Sequence, residues 1–281
     1  MKRLLVVVAA VCCAGLLNAK TCTWIGGSGS WSVAGNWDEN GKPETGDSVV
    51  LSASSAAEIV NDLGAMSLSD ITFGGSQAIT LKSEGALTLS GVSFAWSGQT
   101  LFRLVQDNCT AAVTVDAPIV LTHLGRTNQV AMAGSATTLT LKGDISGGGG
   151  IWFSGNSSSN NKARLSGNNS YVGETIFSYD SLYGDSTTAF GQAGNMIKHI
   201  NGGSGNLNLT VPGTYNYGYT PHTEPGTALG FSGSGEYTWS GPLVLTSETK
   251  TYSISIPASI TKATFSGTIS GLGKLKYAAS A

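Results

Sequence analysis

The chain has 281 residues, with 15 lysines and arginines against 17 aspartates and glutamates, and only 11% of it is charged, where an average globular protein carries about 25%. A surface so weakly charged and slightly acidic excludes a binder of nucleic acid or anionic membrane that works through a basic patch. Glycine, at 39 residues, has about double its usual share, yet short alternating apolar runs recur throughout, which sets the chain apart from a disordered one.

In chain order, Lys2 and Arg3 precede an uncharged run from Leu4 to Leu17, and Leu17-Asn18-Ala19 places a small residue at a cleavage position. That is the three-part pattern of a secretory signal peptide, residues 1–19. The run falls short of the ~20 residues a membrane-spanning helix needs, and no second one follows. Cys12 and Cys13 sit inside it, without the Leu-Ala-Gly-like approach of a lipidation site. Removing the peptide takes away two basic residues and no acid, which moves the formal charge from −2 to −4.

Cleavage leaves Cys22 and Cys109 as the only cysteines. An oxidising compartment permits them to pair, and the closed loop would contribute ~4–5 kcal/mol in the chain-entropy account. A disulfide tolerates a Cα separation of only about 7 Å, so in a stack of coils this pairing requires the N-terminal segment to fold back along the stack.

Residues 20–50 read as a Trp- and Gly-rich capping segment and 51–281 as β-repeats. Period-two apolar runs bounded by Gly, Asn, Asp or Ser predict strands at 48–51, 71–73, 78–82, 86–89, 100–105, 112–115, 118–122, 138–142, 151–153, 175–178, 206–211, 236–239, 243–246, 252–256, 262–265 and 274–277. Helical periodicity is confined to 56–66, where Gly64 and the Asn61-Asp62 pair weaken it. The fold class is therefore all-β.

Thr138-Leu139-Thr140-Leu141-Lys142-Gly143-Asp144-Ile145-Ser146-Gly147 is echoed by Ala263-Thr264-Phe265-Ser266-Gly267-Thr268-Ile269-Ser270-Gly271. Repeats this short bury no apolar face alone and must stack on neighbours. At ~22 residues per coil and ~4.8 Å per layer, a parallel β-helix would have about twelve layers and be roughly 55 Å long. Glycine would take the corners, with Ser, Thr and Asn on the outer faces. An antiparallel β-sandwich is the alternative, since turns every 8 to 12 residues suit it too.

Two stretches carry a family resemblance. The first is Thr23-Trp24-Ile25-Gly26-Gly27, then Trp31-Ser32, Asn36-Trp37 and Pro43-Glu44-Thr45-Gly46-Asp47 before a strand. The second is Ile145-Ser146-Gly147 followed by Leu165-Ser166-Gly167-Asn168-Asn169-Ser170-Tyr171-Val172-Gly173-Glu174-Thr175. The first resembles the opening of bacterial exported repeat proteins, and the second resembles the autotransporter-associated β-strand repeat. Ser170, Glu174 and the polar tract 154–163 depart from that repeat. The resemblance implies a right-handed parallel β-helix, secreted or displayed at the outer surface of a Gram-negative-type bacterium as a passenger segment. Its expected partners are glycans or cell-surface proteins. In such a coil Asn would ladder its amides between layers, Tyr would cap a corner with its hydroxyl reaching water, and Trp24, Trp31 and Trp37 would cover the apolar end of the stack. No C-terminal membrane barrel follows and the chain stops inside an apparent repeat, which reads as a truncated frame or a fragment.

The residues assign no catalytic group, cofactor or metal. Asp107, Asp116, Asp144, Asp180 and Asp185 stand singly in turn contexts, where Asp bonds its own backbone, rather than as the carboxylate pair that glycan chemistry needs. His123, His199 and His222 lack metal-ligand spacing. Gly147 to Gly150 lacks the Gly-Lys-Ser ending of a phosphate loop. Among exposed-aromatic candidates, Tyr215, Tyr217 and Tyr219 alternate on one strand face, which fits either glycan stacking or core and corner packing. The expected function is a non-catalytic passenger protein with a structural or adhesive role, with a glycan-binding or polysaccharide-degrading β-helix as the alternative.

Overall fold

Alternation at period two sends every second side chain of a strand to one face, and in this chain the apolar set of each strand meets the same set of the next. Val113 and Val115 lie in register between Ile79 and Leu81 on one side and Leu139 and Leu141 on the other. All six are at most 1% exposed, and burying a side chain of this kind is worth about 1.5–3 kcal/mol. The computed structural model describes residues 19–39, 41–90, 92–93, 100–101, 104–107, 110–122, 127–132, 137–155, 160–178, 181–200, 205–221 and 228–280. Over these residues the chain winds into about nine stacked parallel coils, a β-solenoid.

Its spine is an eleven-stranded sheet running from Gly29–Ser30 through Ala57–Asn61, Ile79–Ser83, Val113–Asp116, Thr138–Leu141 and Lys162–Leu165 to Thr251–Pro257 and Lys274–Ser280. A seven-stranded sheet, Thr127–Ala131 to Ile269–Gly271, forms a second side, continuing where the four-stranded sheet from Thr21–Thr23 to Leu104–Asp107 ends. The remaining side is built twice. Met66–Leu68, Leu87–Leu89, Ile119–Leu121 and Ile145–Gly147 form it early, and Gly213–Tyr215, Gly235–Trp239 and Ile260–Phe265 form it late. Between these sheets the chain turns without strand over 166–174 and 185–195. The antiparallel pair Val92–Ser93 and Thr100–Leu101 branches from the stack.

The parallel pairing settles the choice between solenoid and sandwich. Coils number about nine instead of twelve because they are longer and less even than ~22 residues. Successive spine strands start 19 residues apart at Lys162 and Ser181 and 34 apart at Ile79 and Val113. The spine spans roughly 48 Å at ~4.8 Å per strand. The weak helical pattern over 56–66 gives way to strands Ala57–Asn61 and Met66–Leu68. There Ala57, Ile59 and Asn61 point inward at period two, and Gly64, at φ +87°, makes the corner. Among the described residues the single helical element is the 3-10 turn Ala34–Asn36.

The two Ile-Ser-Gly segments occupy different sides of the solenoid. Ile145–Gly147 belongs to the early third side and Ile269–Gly271 to the seven-stranded sheet. Their local geometry is nevertheless the same: Gly147 and Gly271 have φ of +107° and +104°. A Cβ on either would stand 2.1 Å from a carbonyl oxygen of the preceding coil, that of Leu121 or Leu245. The motif encodes a corner, and glycine is required there both by the left-handed backbone and by the close approach.

At the N-terminal end the indoles of Trp24, Trp31 and Trp37 are at most 3% exposed. Trp37 packs edge-on to both of the others, with centroids 5.1 and 5.6 Å away. Its Nε1 donates to the Trp31 carbonyl at 2.8 Å, and Trp24 Nε1 donates to Gly27 at 3.0 Å.

Candidate functional site

The block with the family resemblance is where the fold concentrates its polar work. Leu165 is in the core. Asn169 is 3% exposed; its Oδ1 accepts the Ile145 N–H at 2.8 Å and its Nδ2 donates to the Ala189 carbonyl at 2.7 Å. One side chain thus joins three consecutive coils. Each bond satisfies a backbone group that no ladder serves at this corner, and an unsatisfied buried group would cost about 1–3 kcal/mol. Asn61, Asn161 and Asn195 act in the same way, bonding backbone of their own or neighbouring coils. The expected amide-to-amide ladder is therefore replaced by amide-to-backbone bonds, and asparagine lies inside as well as outside. Tyr171 differs from expectation too. Its ring is fully buried and its hydroxyl bonds Thr175 Oγ1 rather than water, with burial pushing the phenol well above its ordinary range.

The aspartates engage other coils instead of their own backbone. Asp116 pairs with Lys142 at 2.6 Å, and Asp144 accepts the Asn168 N–H at 2.8 Å. Asp185 accepts Arg164 through both Nε and Nη2 at 2.8 Å, and also Ser166 at 3.1 Å and Thr210 at 2.6 Å. The Arg164 guanidinium lies 4.9 Å from the Tyr183 ring centroid. Glu58–Lys82 and Glu174–Lys198 make further bridges between neighbouring coils. For Asp107 only the backbone is described, and Asp180 lies outside the described residues.

Tyr215, Tyr217 and Tyr219 do not share one strand. Gly213–Tyr215 and Gly218–Thr220 belong to different sheets, and Tyr217 stands at the corner between them. All three rings are buried to 2% exposure or less, so none offers a face to a sugar. The Tyr215 hydroxyl donates to Val211 and the Tyr217 hydroxyl to both Thr187 and Gly191, at 3.0 Å each for the latter pair. Tyr217 thereby holds the turn 185–195, helped by Phe190 packing edge-on against its ring. Burial raises the Tyr217 phenol to about 12 and pushes Tyr215 and Tyr219 higher still.

Cys22 is fully buried in the first strand, a free thiol donating to Asp47 Oδ2 at 3.7 Å. Burial, reinforced by the Asp47 carboxylate, raises the thiol to about 11. Its strand lies three ladder steps from Leu104–Asp107, or roughly 14 Å at ~4.8 Å per step. Cys109 lies outside the described residues. Asp47 was legible only as part of the Gly46-Asp47 motif. The structure makes it an anchor that accepts the backbone N–H groups of Lys20 at 3.0 Å and Glu44 at 2.8 Å.

His199 is buried with its ring stacked on Phe177 at 4.5 Å; His123 and His222 lie outside the described residues. Among the described residues no three His, Cys, Asp or Glu side chains converge to hold a metal ion, and no helix is long and apolar enough to cross a membrane.

At the C-terminal end of the stack is a hollow of about 270 Å³ lined by Ile254, Ile256, Ala263, Phe265, Leu275 and Tyr277 among others. Of its lining, Leu275 is 38% and Tyr277 63% exposed. No protein-family model matches this chain, and neither a curated protein nor a solved structure matches it.

Proposed function

We propose that this chain is an exported, non-catalytic β-solenoid that serves as a rigid spacer or adhesive display segment at a bacterial surface, as expected for passenger proteins with the autotransporter-associated repeat. The observation that carries this reading is how the outer charges are used. Glu58, Asp116, Asp185 and Glu174 are each tied to a cation of an adjacent coil, which stiffens a stack and leaves these groups committed to shape. Asn169, inside the block that resembles the repeat, clamps three coils together. The signal-peptide pattern of residues 1–19 supports export, and glycans or cell-surface proteins are the partners an adhesive role requires. The alternative of a glycan-binding or polysaccharide-degrading β-helix loses its tyrosine argument, since Tyr215, Tyr217 and Tyr219 are buried.

The test is expression of the whole chain in a Gram-negative host, followed by intact-mass analysis and protease digestion of unbroken cells. The expected product lacks residues 1–19 and is digested from outside or recovered from the medium. Retention in the cytoplasm with Met1–Ala19 still attached would overturn the reading.

A further inference from the structure

Four Asn-x-Ser or Asn-x-Thr triplets occur in the chain, beginning at Asn108, Asn156, Asn168 and Asn208. This is the acceptor pattern for N-linked sugar transfer, used where it stands at the protein surface. Asn108 and Asn156 lie outside the described residues, and the fold treats the other two in opposite ways.

Asn168-Asn169-Ser170 belongs to the strandless turn 166–174, yet its backbone is laid on the preceding coil in strand fashion. The N–H groups of Asn168, Ser170 and Val172 donate to Asp144 Oδ1, the Ile145 carbonyl and the Gly147 carbonyl at 2.8, 2.8 and 2.9 Å. Side chains alternate accordingly: Asn169 and Tyr171 are buried, and Asn168, Ser170 and Val172 are exposed. The middle residue of the triplet is pinned inside by its bonds to Ile145 and Ala189, which holds the acceptor amide and its partner hydroxyl on one outer face, ~7 Å apart along the chain. The flanking side chains are short: Asp144 of the preceding coil, and Ser186 of the next, bonded to the Gly167 carbonyl at 2.8 Å.

Asn208-Leu209-Thr210 has no such freedom. The Thr210 hydroxyl donates to Asp185 at 2.6 Å, inside the cluster that also binds Arg164. Asn208 Nδ2 donates to the Asn206 carbonyl at 3.3 Å, and its Oδ1 lies 2.5 Å from where a Cβ on Gly230 would stand. Both polar groups of this triplet are committed to the protein.

A second observation falls on the face of Asn168. Of the seven large apolar side chains exposed among the described residues, Val172 alone lies in mid-stack, and it is 52% exposed. It follows Ser170 on the same outward row, ~13 Å from Asn168. A short oligosaccharide on Asn168 reaches that far and can lay the apolar C–H face of a sugar on Val172, removing the patch from water.

We infer that Asn168 carries an N-linked glycan, added through the Asn168-x-Ser170 triplet. The bond formed joins Nδ2 to the anomeric carbon of a sugar activated as a phosphate ester. The bond broken runs from that carbon to the phosphate oxygen, which leaves with the electron pair, and Nδ2 gives up one proton to a base of the transferring enzyme. The activated sugar is carried on a lipid, for transfer after the chain crosses a membrane, or on a nucleotide, for transfer before. The inference therefore stands apart from the export reading.

The test is mass spectrometry of the protein isolated from the cells that naturally make it. Tryptic peptide 165–198 contains Asn168 and no other such triplet, so a sugar found on it, placed by electron-transfer fragmentation, reports this site alone. The expected result is a sugar at Asn168 and none at Asn208. Ser170→Ala should abolish the modification, Ser170→Thr should keep it, and Asn208→Gln should leave it unchanged. Deleting residues 2–19 separates the donors: the glycan is lost with a lipid-linked sugar and retained with a nucleotide-linked one. An unmodified Asn168, a glycan at Asn208 in its place, or a glycan at Asn168 that survives Ser170→Ala would overturn the inference.

Discussion

At the N-terminal end of the stack the chain folds over its own first strands, and residues 24–37 bury three indoles against the core. At the C-terminal end strand Lys274–Ser280 is laid on the stack like any other coil, leaving Tyr277 63% and Leu275 38% exposed. The side chains of the preceding layer, Ile256 and Phe265, are only partly buried for the same reason. A parallel coil covers the layer beneath it and exposes its own apolar set, so the stack ends dry only where something other than a coil closes it. Here that closure comes from side chains large enough to cover a core cross-section within a few residues, backed by the Asp47 carboxylate that ties the first strand to the loop.

The comparison breaks most readily at Trp31. Replacing this fully buried indole by alanine should cost ~3–5 kcal/mol of unfolding free energy, measured by guanidinium denaturation. A loss under about 1 kcal/mol would mean the loop decorates the end without sealing it. Next in size is Asn169→Ala, in mid-stack, where losing the bonds to Ile145 and Ala189 should remove about 1–3 kcal/mol. Asn169→Asp keeps the acceptor for Ile145 and loses the donor to Ala189, so it should be as harmful or worse at neutral pH.

Cys22 sharpens the contrast by reactivity. With its thiol raised to about 11, alkylation located by mass spectrometry should be negligible in the native protein at pH 8 and complete after unfolding, while Tyr277→Cys at the open end should react at once. The sign of the pH effect follows. Folding holds the Cys22 proton above its ordinary value near 9, so the stability it contributes is full below pH ~9 and declines as the pH climbs towards about 11, where the unfolded chain binds fewer protons. The smallest effect belongs to Tyr277→Ser, which should change stability by no more than ~0.5 kcal/mol. A large loss there would show that the last coil is sealed after all.

The class of fold was written in the period-two runs, because an inward apolar set is all a stacked strand requires, and each of the sixteen runs drawn from Val113-x-Val115-like patterns falls wholly or partly on a described strand. The length of each coil was not. Corners such as 185–195 are held by distant groups, here the Tyr217 hydroxyl from the following coil, and nothing local to Ser186 or Gln192 announces that contact. The tyrosine alternation misled for a related reason: a period-two pattern spans 215–219 although the backbone turns a corner at Tyr217 between two sheets. The tryptophans were the reverse case. In the coil that the family resemblance implies, large aromatic rings in a glycine-rich stretch with no strand of their own to join cover the apolar end of the stack, and the three indoles are buried there.

The ladders between coils give the molecule a mechanical character. Every parallel pairing from Thr21–Thr23 to Lys274–Ser280 directs its hydrogen bonds along the axis of the stack. Tension applied along that axis loads these bonds in peeling geometry, a few at a time, rather than shearing a whole sheet at once. Peeling pauses at side chains that span more than one interface, as Asn169 does. A rod built this way yields under force in graded steps of one coil, paying out length one layer at a time.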